Sequence, residues 1–208
     1  MAQVSRLVAF GDSCTYGHGL ADCYLPNGRE GPIPSVQAWP FLLARKLQLV
    51  PENQGQAGAS NKEIWYKAVN FDFKKGDIAV FLWSYLNRHC MILPEYIDRY
   101  GPWLKSERSN KWMQYQFNDY DSNLDLWLRI DQITKYLSSK KIKCWHYLGD
   151  PYSDVSKWHH TELKYFPAKY LDFARDGKHP GFKTQQKFAD IVTSDPTGPA
   201  VAIGNSSK

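Results

Sequence analysis

A three-layer α/β/α sandwich around a mostly parallel sheet is the fold class this sequence predicts. Residues 7–10 and 77–83 carry short continuous apolar runs, Leu7–Phe10 and Ile78–Trp83, the mark of strands buried on both faces, and 142–148 reads as another strand. Stretches with apolar residues at helical spacing lie between them, so strands and helices alternate along the chain. At 208 residues the chain suits one domain with a sizeable core.

The elements follow in order. Leu7-Val8-Ala9-Phe10 ends at Gly11 and reads as a buried parallel strand. Over 35–49, Trp39, Leu42, Leu43 and Leu47 recur at helical spacing. Ser35 is placed to cap that helix, and Pro40 falls in its first turns, where proline is tolerated. Residues 53–61 are turn-rich and lead into a helix over 62–69, and 77–83 is the clearest buried strand. Residues 88–121 are long, aromatic and without periodicity, as in a lid or binding element. A helix over 123–137 presents Leu124, Trp127, Leu128, Ile130, Ile133, Thr134 and Leu137, and 142–148 is a strand holding Cys144 as a buried thiol. A helix over 180–192, with Phe182, Phe188, Ile191 and Val192 inward, closes a domain spanning 1–193. The Pro/Gly/Ser-rich stretch 194–208 reads as a mobile or loosely docked tail. Ligands of open α/β sheets bind outside the carboxyl ends of the strands, where Ser13, Gly58 and Ser84 should gather.

Composition narrows the function. Net charge is +5, but the basic residues are scattered; no stripe or module points to nucleic acid. No run approaches the ~20 apolar residues of a membrane span, and no basic-then-apolar leader precedes Leu7. The expectation is a soluble protein, cytoplasmic or phage-associated. Aromatics make up 15% of the chain, with eight Trp; they line a carbohydrate or ligand cleft, or fill the core. The four cysteines show no CxxC spacing, so no zinc or redox site is expected; Cys14 and Cys23 are left open as a pair. Adjacent His159 and His160 invite a metal reading, but their side chains diverge and no third ligand is obvious, so no metal and no cofactor are expected.

The chemistry lies near the two ends. Ser13 follows the first strand in a Gly/Asp turn, and Asp176 stands three residues before His179. These are the types a nucleophile, its base and the base's orienter require. Histidine has the right pKa to take a serine proton near neutrality. A plain-turn reading stands beside this one for Ser13, for Asp176-Gly177 and for Gly58. Asp12 reads as a local cap, and His18 as a polar rim residue near Ser13.

In Phe10-Gly11-Asp12-Ser13 and Thr15-Tyr16-Gly17 the chain resembles the SGNH or GDSL hydrolases, and Asp176-Gly177-Lys178-His179-Pro180 matches the family's last block. Asn53, Gly55, Gly58, Ala59 and Ser60 match the second block. The resemblance implies a flavodoxin-like sheet, a Ser13–His179–Asp176 triad and an oxyanion hole from Ser13 and Gly58. The third block departs: Gly-x-Asn-Asp is expected, and this chain has Trp83-Ser84-Tyr85-Leu86-Asn87-Arg88. Asn87 is the expected third oxyanion donor, one residue out of step, with Ser84 or Arg88 as substitutes. Asp12, Ser84, Arg88, Trp103 and Trp112 are the expected substrate contacts. The compact first block with a Trp-Ser third block resembles bacterial and phage members. Two functions follow: an esterase of O-acyl groups, with O-acetyl groups on carbohydrate as the expected substrate and a small-molecule or polysaccharide ester as partner; or a saccharide-binding module that kept the fold and lost efficient turnover.

Overall fold

The computed structural model describes residues 5–23, 31–156 and 163–199. Five strands form one parallel sheet: β1 (Arg6–Phe10), β2 (Val50–Asn53), β3 (Ile78–Trp83), β6 (Lys143–Leu148) and β7 (Lys164–Tyr165). Their spatial order is β2-β1-β3-β6-β7. β1 pairs with β2 on one side (Leu7 opposite Pro51) and with β3 on the other (Leu7 opposite Ile78). The chain therefore reverses its lateral direction at β1, and the crevice between the carboxyl ends of β1 and β3 is the switch point of the sheet.

Alternation of side chains builds two cores from one sheet. Val8, Phe10, Ala79, Phe81 and Trp83 face α3 (Asn61–Val69) and α5 (Asp119–Ser139), where Ile64, Leu126, Ile130, Ile133 and Leu137 are buried. Leu7, Ala9, Val80 and Leu82 face α2 (Trp39–Leu47) and α6 (Phe182–Ser194), where Trp39, Leu43, Phe188 and Val192 complete the other layer. The expected three-layer, mostly parallel α/β/α architecture is the one observed.

Several local expectations change. Ser35 caps a turn, with its Oγ accepting from Gln37, and α2 begins later, at Trp39, with Pro40 in its first turn. On α5 the buried face includes Leu126, whereas Leu128 is 40% exposed. Phe182, at the start of α6, is 42% exposed. Asp195 receives hydrogen bonds from Tyr147 and Thr197 and pairs with Lys164, so the chain beyond α6 is docked through these contacts. The rest of the expected tail, 200–208, lies outside the described residues, as do His159 and His160. Cys14 and Cys23 are buried and not joined in a disulfide, and Cys144 is half-buried.

Residues 88–121 are ordered elements. β4 (His89–Ile92) and β5 (Ile97–Tyr100) form an antiparallel hairpin, α4 (Glu107–Tyr115) follows, and α5 begins before the segment ends. Glu63 of α3 is fully buried and takes a bidentate pair from Arg99 of β5, at 2.7 and 2.8 Å. That pair clamps the hairpin to the α3 side of the sheet.

Candidate active site

The first loop is shaped by close approach. A Cβ on Gly11 would stand 2.0 Å from Thr15 Oγ1 and 2.9 Å from the Leu82 carbonyl, so only glycine fits where β1 ends. Asp12 then caps α1 (Ser13–Tyr16), its Oδ1 accepting from Cys14 N–H at 2.9 Å. Its Oδ2 accepts from Ser84 Oγ at 2.9 Å and from Arg88 at 2.8 Å, bridging the switch point from β1 to the segment after β3. Ser13 thereby sits at the first helical position, where its own N–H has no partner within the helix. Its Oγ is buried and meets no hydrogen-bond partner among the described residues. The Cys14 thiol beside it is held protonated: burial pushes it well up, and the Asp12 carboxylate adds to the effect.

The second loop packs on this turn. Asn53 Nδ2 donates to the Thr15 carbonyl at 2.7 Å, while its Oδ1 accepts from Gly55 N–H. A Cβ on Gly55 would lie 2.6 Å from Tyr16 N. Gly58 is left-handed (φ +76°), with Trp103 Nε1 and Arg99 Cδ bounding the space beside its Cα. Ser60 caps α3, and Asn61 clasps Ser84 through its N–H and its carbonyl, at 2.7 and 3.2 Å.

The third group is an Asx turn. Asp176 Oδ1 accepts from the N–H groups of Lys178 and His179, at 2.9 and 3.0 Å, and Gly177 takes the left-handed conformation at φ +67°. Asp176 Oδ2 meets His179 Nδ1 at 2.5 Å. Burial alone would raise the Asp176 carboxyl. The backbone N–H of His179, its imidazole and the Lys178 N–H outweigh it and bring the group down to about 2. Gly177 N–H bonds Ala174, whose own N–H bonds the His179 carbonyl, so the turn is closed on itself.

These loops enclose a cleft of about 530 Å³ lined by Ser13, His18, Ala57, Gly58, Arg88, Trp103, Asp176, Lys178 and His179. Ser13, Gly58, Arg88, Trp103, Asp176 and His179 thus meet as expected, with Asp12 and Ser84 bonded behind them. Two expectations do not hold geometrically. Asn87 lines another cavity, of about 320 Å³, with Tyr85, Asp150 and Tyr170. The reason is a turn closed by Arg88 N–H on the Tyr85 carbonyl, which sends Asn87 and Arg88 to different sides. Trp112 stacks on His89 at 4.7 Å and lines a third cavity, of about 240 Å³, that shares only Arg88 with the main cleft. Arg88, not Asn87, lines the main cleft, with its guanidinium 4.9 Å from the Tyr85 ring and 5.0 Å from the Trp103 ring.

Sequence reasoning left His18 on the rim, yet its ring packs against His179 at 4.4 Å and its Nε2 lies 4.0 Å from Asp176 Oδ2. His18, Asp176 and His179 each offer a donor atom within 4.8 Å of the others, the one cluster among the described residues with the chemistry of a metal site. The readable signal was the pair of glycines flanking His18, both left-handed.

No protein-family model and no curated protein matches the chain. Solved structures match it in fold. A protein of Desulfitobacterium hafniense DCB-2, described as lipolytic and of the G-D-S-L family, is 13% identical with a TM-score of 0.53, over 90% of this chain and 97% of its own. A carbohydrate esterase family 2 enzyme with a carbohydrate-binding domain, from Myceliophthora fergusii, is 13% identical with a TM-score of 0.61, over 98% of this chain and 68% of its own. An acetyl xylan esterase of Butyrivibrio proteoclasticus is 12% identical with a TM-score of 0.54, over 93% of this chain and 65% of its own. The chain spans about two thirds of the length of these two esterases. At such identities the likeness is one of fold. No helix among the described residues is long and apolar enough to cross a membrane.

Proposed function

From the SGNH/GDSL hydrolase fold that this chain adopts, we propose that it is a serine ester hydrolase acting on O-acyl groups, most simply O-acetyl groups on a carbohydrate. One observation carries the reading: a buried Ser13 Oγ without a hydrogen-bond partner shares a cleft with a hydrogen-bonded Asp176–His179 pair. An unpartnered buried hydroxyl costs about 1–3 kcal/mol, a strain that a nucleophile awaiting its substrate explains.

The steps follow from these positions. Ser13 Oγ attacks the acyl carbonyl as His179 takes its proton; Asp176 holds the imidazole tautomer and stabilises the imidazolium. Negative charge on the former carbonyl oxygen falls to the N–H groups of Ser13 and Gly58 and to the Arg88 guanidinium. His179 returns the proton to the leaving alcohol, and an acyl-Ser13 ester remains. Water, deprotonated by His179, then releases the acid and restores Ser13. The Ser13–His179 hydrogen bond closes when substrate fills the cleft, as catalytic hydrogen bonds commonly tighten in the bound complex. Trp103 at the cleft wall supports a sugar as the alcohol, because a flat ring stacks on a pyranose face. The carbohydrate esterases of the same fold support the same class.

A second reading, saccharide binding without turnover, is favoured by the position of Asn87 outside the cleft. Hydrolysis of 4-nitrophenyl acetate and of acetylated xylo-oligosaccharides separates the two. Wild type should turn over, and Ser13→Ala and His179→Ala should each lose at least about 10³-fold in kcat. Equal rates in the variants would overturn the assignment. Saturable oligosaccharide binding with no hydrolysis by wild type would establish the second reading.

A further inference from the structure

We propose that His18, Asp176 and His179 form a binding site for a borderline divalent cation of the zinc class, and that the bound ion switches off the hydrolytic site. The inhibitory half rests on the ester-hydrolase reading; the binding half does not.

The donors belong to two loops locked in register. Gly17 ends α1 in the left-handed conformation (φ +79°), and His18 N–H closes on the Ser13 carbonyl at 3.0 Å. Gly19 is left-handed as well (φ +82°), and a Cβ there would stand 2.9 Å from both Ala174 Cβ and Asp176 Cγ. Arg175 N–H donates to the Gly19 carbonyl at 2.9 Å, tying the His18 loop to the loop of Asp176 and His179. The imidazole of His18 is therefore held against its two partners by backbone, with its Nε2 4.0 Å from Asp176 Oδ2.

Tetrahedral zinc with bonds of about 2.0–2.2 Å sets its ligand atoms roughly 3.4 Å apart. All three donors here lie within 4.8 Å of one another, so small side-chain rotations bring them onto one ion. Two imidazoles and one carboxylate suit zinc, copper or nickel and disfavour calcium and magnesium, which take oxygen ligands. The open cleft leaves water for the fourth position. Once the ion is bound, its ligands are lost to catalysis: His179 spends its lone pair on the metal, and Asp176 exchanges its hydrogen bond for coordination. Ser13 then has no base.

The test is a zinc titration against a chromophoric chelator, with each variant's fold checked by circular dichroism and melting. Wild type and Ser13→Ala should each bind one ion per chain at micromolar zinc. His18→Gln and Asp176→Asn should weaken binding at least about tenfold, whereas the double variant His159→Gln/His160→Gln should bind as wild type does. No binding, affinity unchanged in His18→Gln, or affinity lost in the His159/His160 variant would overturn the site. Zinc should stop 4-nitrophenyl acetate hydrolysis at the concentration that half-saturates binding; a rise in rate would overturn the switch. A wild type inactive with and without zinc would count against the hydrolase reading alone, because the Ser13→Ala titration decides the site independently.

Discussion

Both carboxylate oxygens of Asp176 are committed, one to two backbone N–H groups and the other to His179. Its folded value of about 2 lies below the 3.8 of the free group. A lowered carboxyl stabilises the folded state above the unfolded value, and that stability disappears as pH falls from 3.8 through about 2. Activity lost above pH 4 therefore does not come from protonating Asp176. Asp176→Asn should lower kcat by about 10³–10⁴ by freeing the imidazole to take the wrong tautomer. Its stability deficit against wild type, measured by urea unfolding, should narrow from pH 5 to pH 2. A deficit that stays constant over that range would contradict the assigned linkage. The residues of this turn were legible because Asp-Gly-Lys-His is a local pattern whose geometry closes within four residues. Asn87 was not: which side of the Tyr85–Arg88 turn a residue faces depends on a single register step, and the turn sends Arg88 into the cleft instead.

The β4–β5 hairpin shows how an element outside the strand–helix alternation reaches the cleft. Gly101, just past β5, lies under the ring of Trp103, where a Cβ would come 1.7 Å from the indole, so the chain folds Trp103 back over the cleft wall. The clamp is Glu63–Arg99. Removing one member of a buried pair costs about 3–5 kcal/mol; Arg99 keeps some solvent contact, so Glu63→Gln should cost roughly 1–3 kcal/mol in urea unfolding. It should also raise KM for acetylated oligosaccharides more than for 4-nitrophenyl acetate, since Trp103 loses its support. An unchanged unfolding midpoint together with an unchanged KM ratio would contradict the clamp. The hairpin escaped sequence reading because each strand has only four residues, and neither His-Cys-Met-Ile nor Ile-Asp-Arg-Tyr alternates apolar with polar side chains. β2 escaped for a related reason: Pro51 argues against a strand, yet β2 is an edge strand, where proline is tolerated. Strands β1 and β3 were legible from their continuous apolar runs, Leu7–Phe10 and Ile78–Trp83, and β6 from the apolar residues around Cys144.

Across the molecule, the sheet order brings together residues far apart in sequence. Ser13 follows β1, Gly58 follows β2, Arg88 follows β3, and Asp176 and His179 come from the loop before α6. All five border one cleft at the carboxyl ends of the strands. The edge was legible from the strand–helix alternation, and the partners from their local motifs. The shape of the aromatic segment was not, because its placement depends on tertiary pairing with α3. We propose Ser13 as an activated nucleophile served by His179. Its most direct test is intact-mass analysis after treatment with a fluorophosphonate, in which Ser13 Oγ displaces fluoride from phosphorus. The prediction is one adduct per wild-type chain, mapped to Ser13 and absent from Ser13→Ala and His179→Ala. No adduct on wild type, or an adduct that persists in Ser13→Ala, would contradict it.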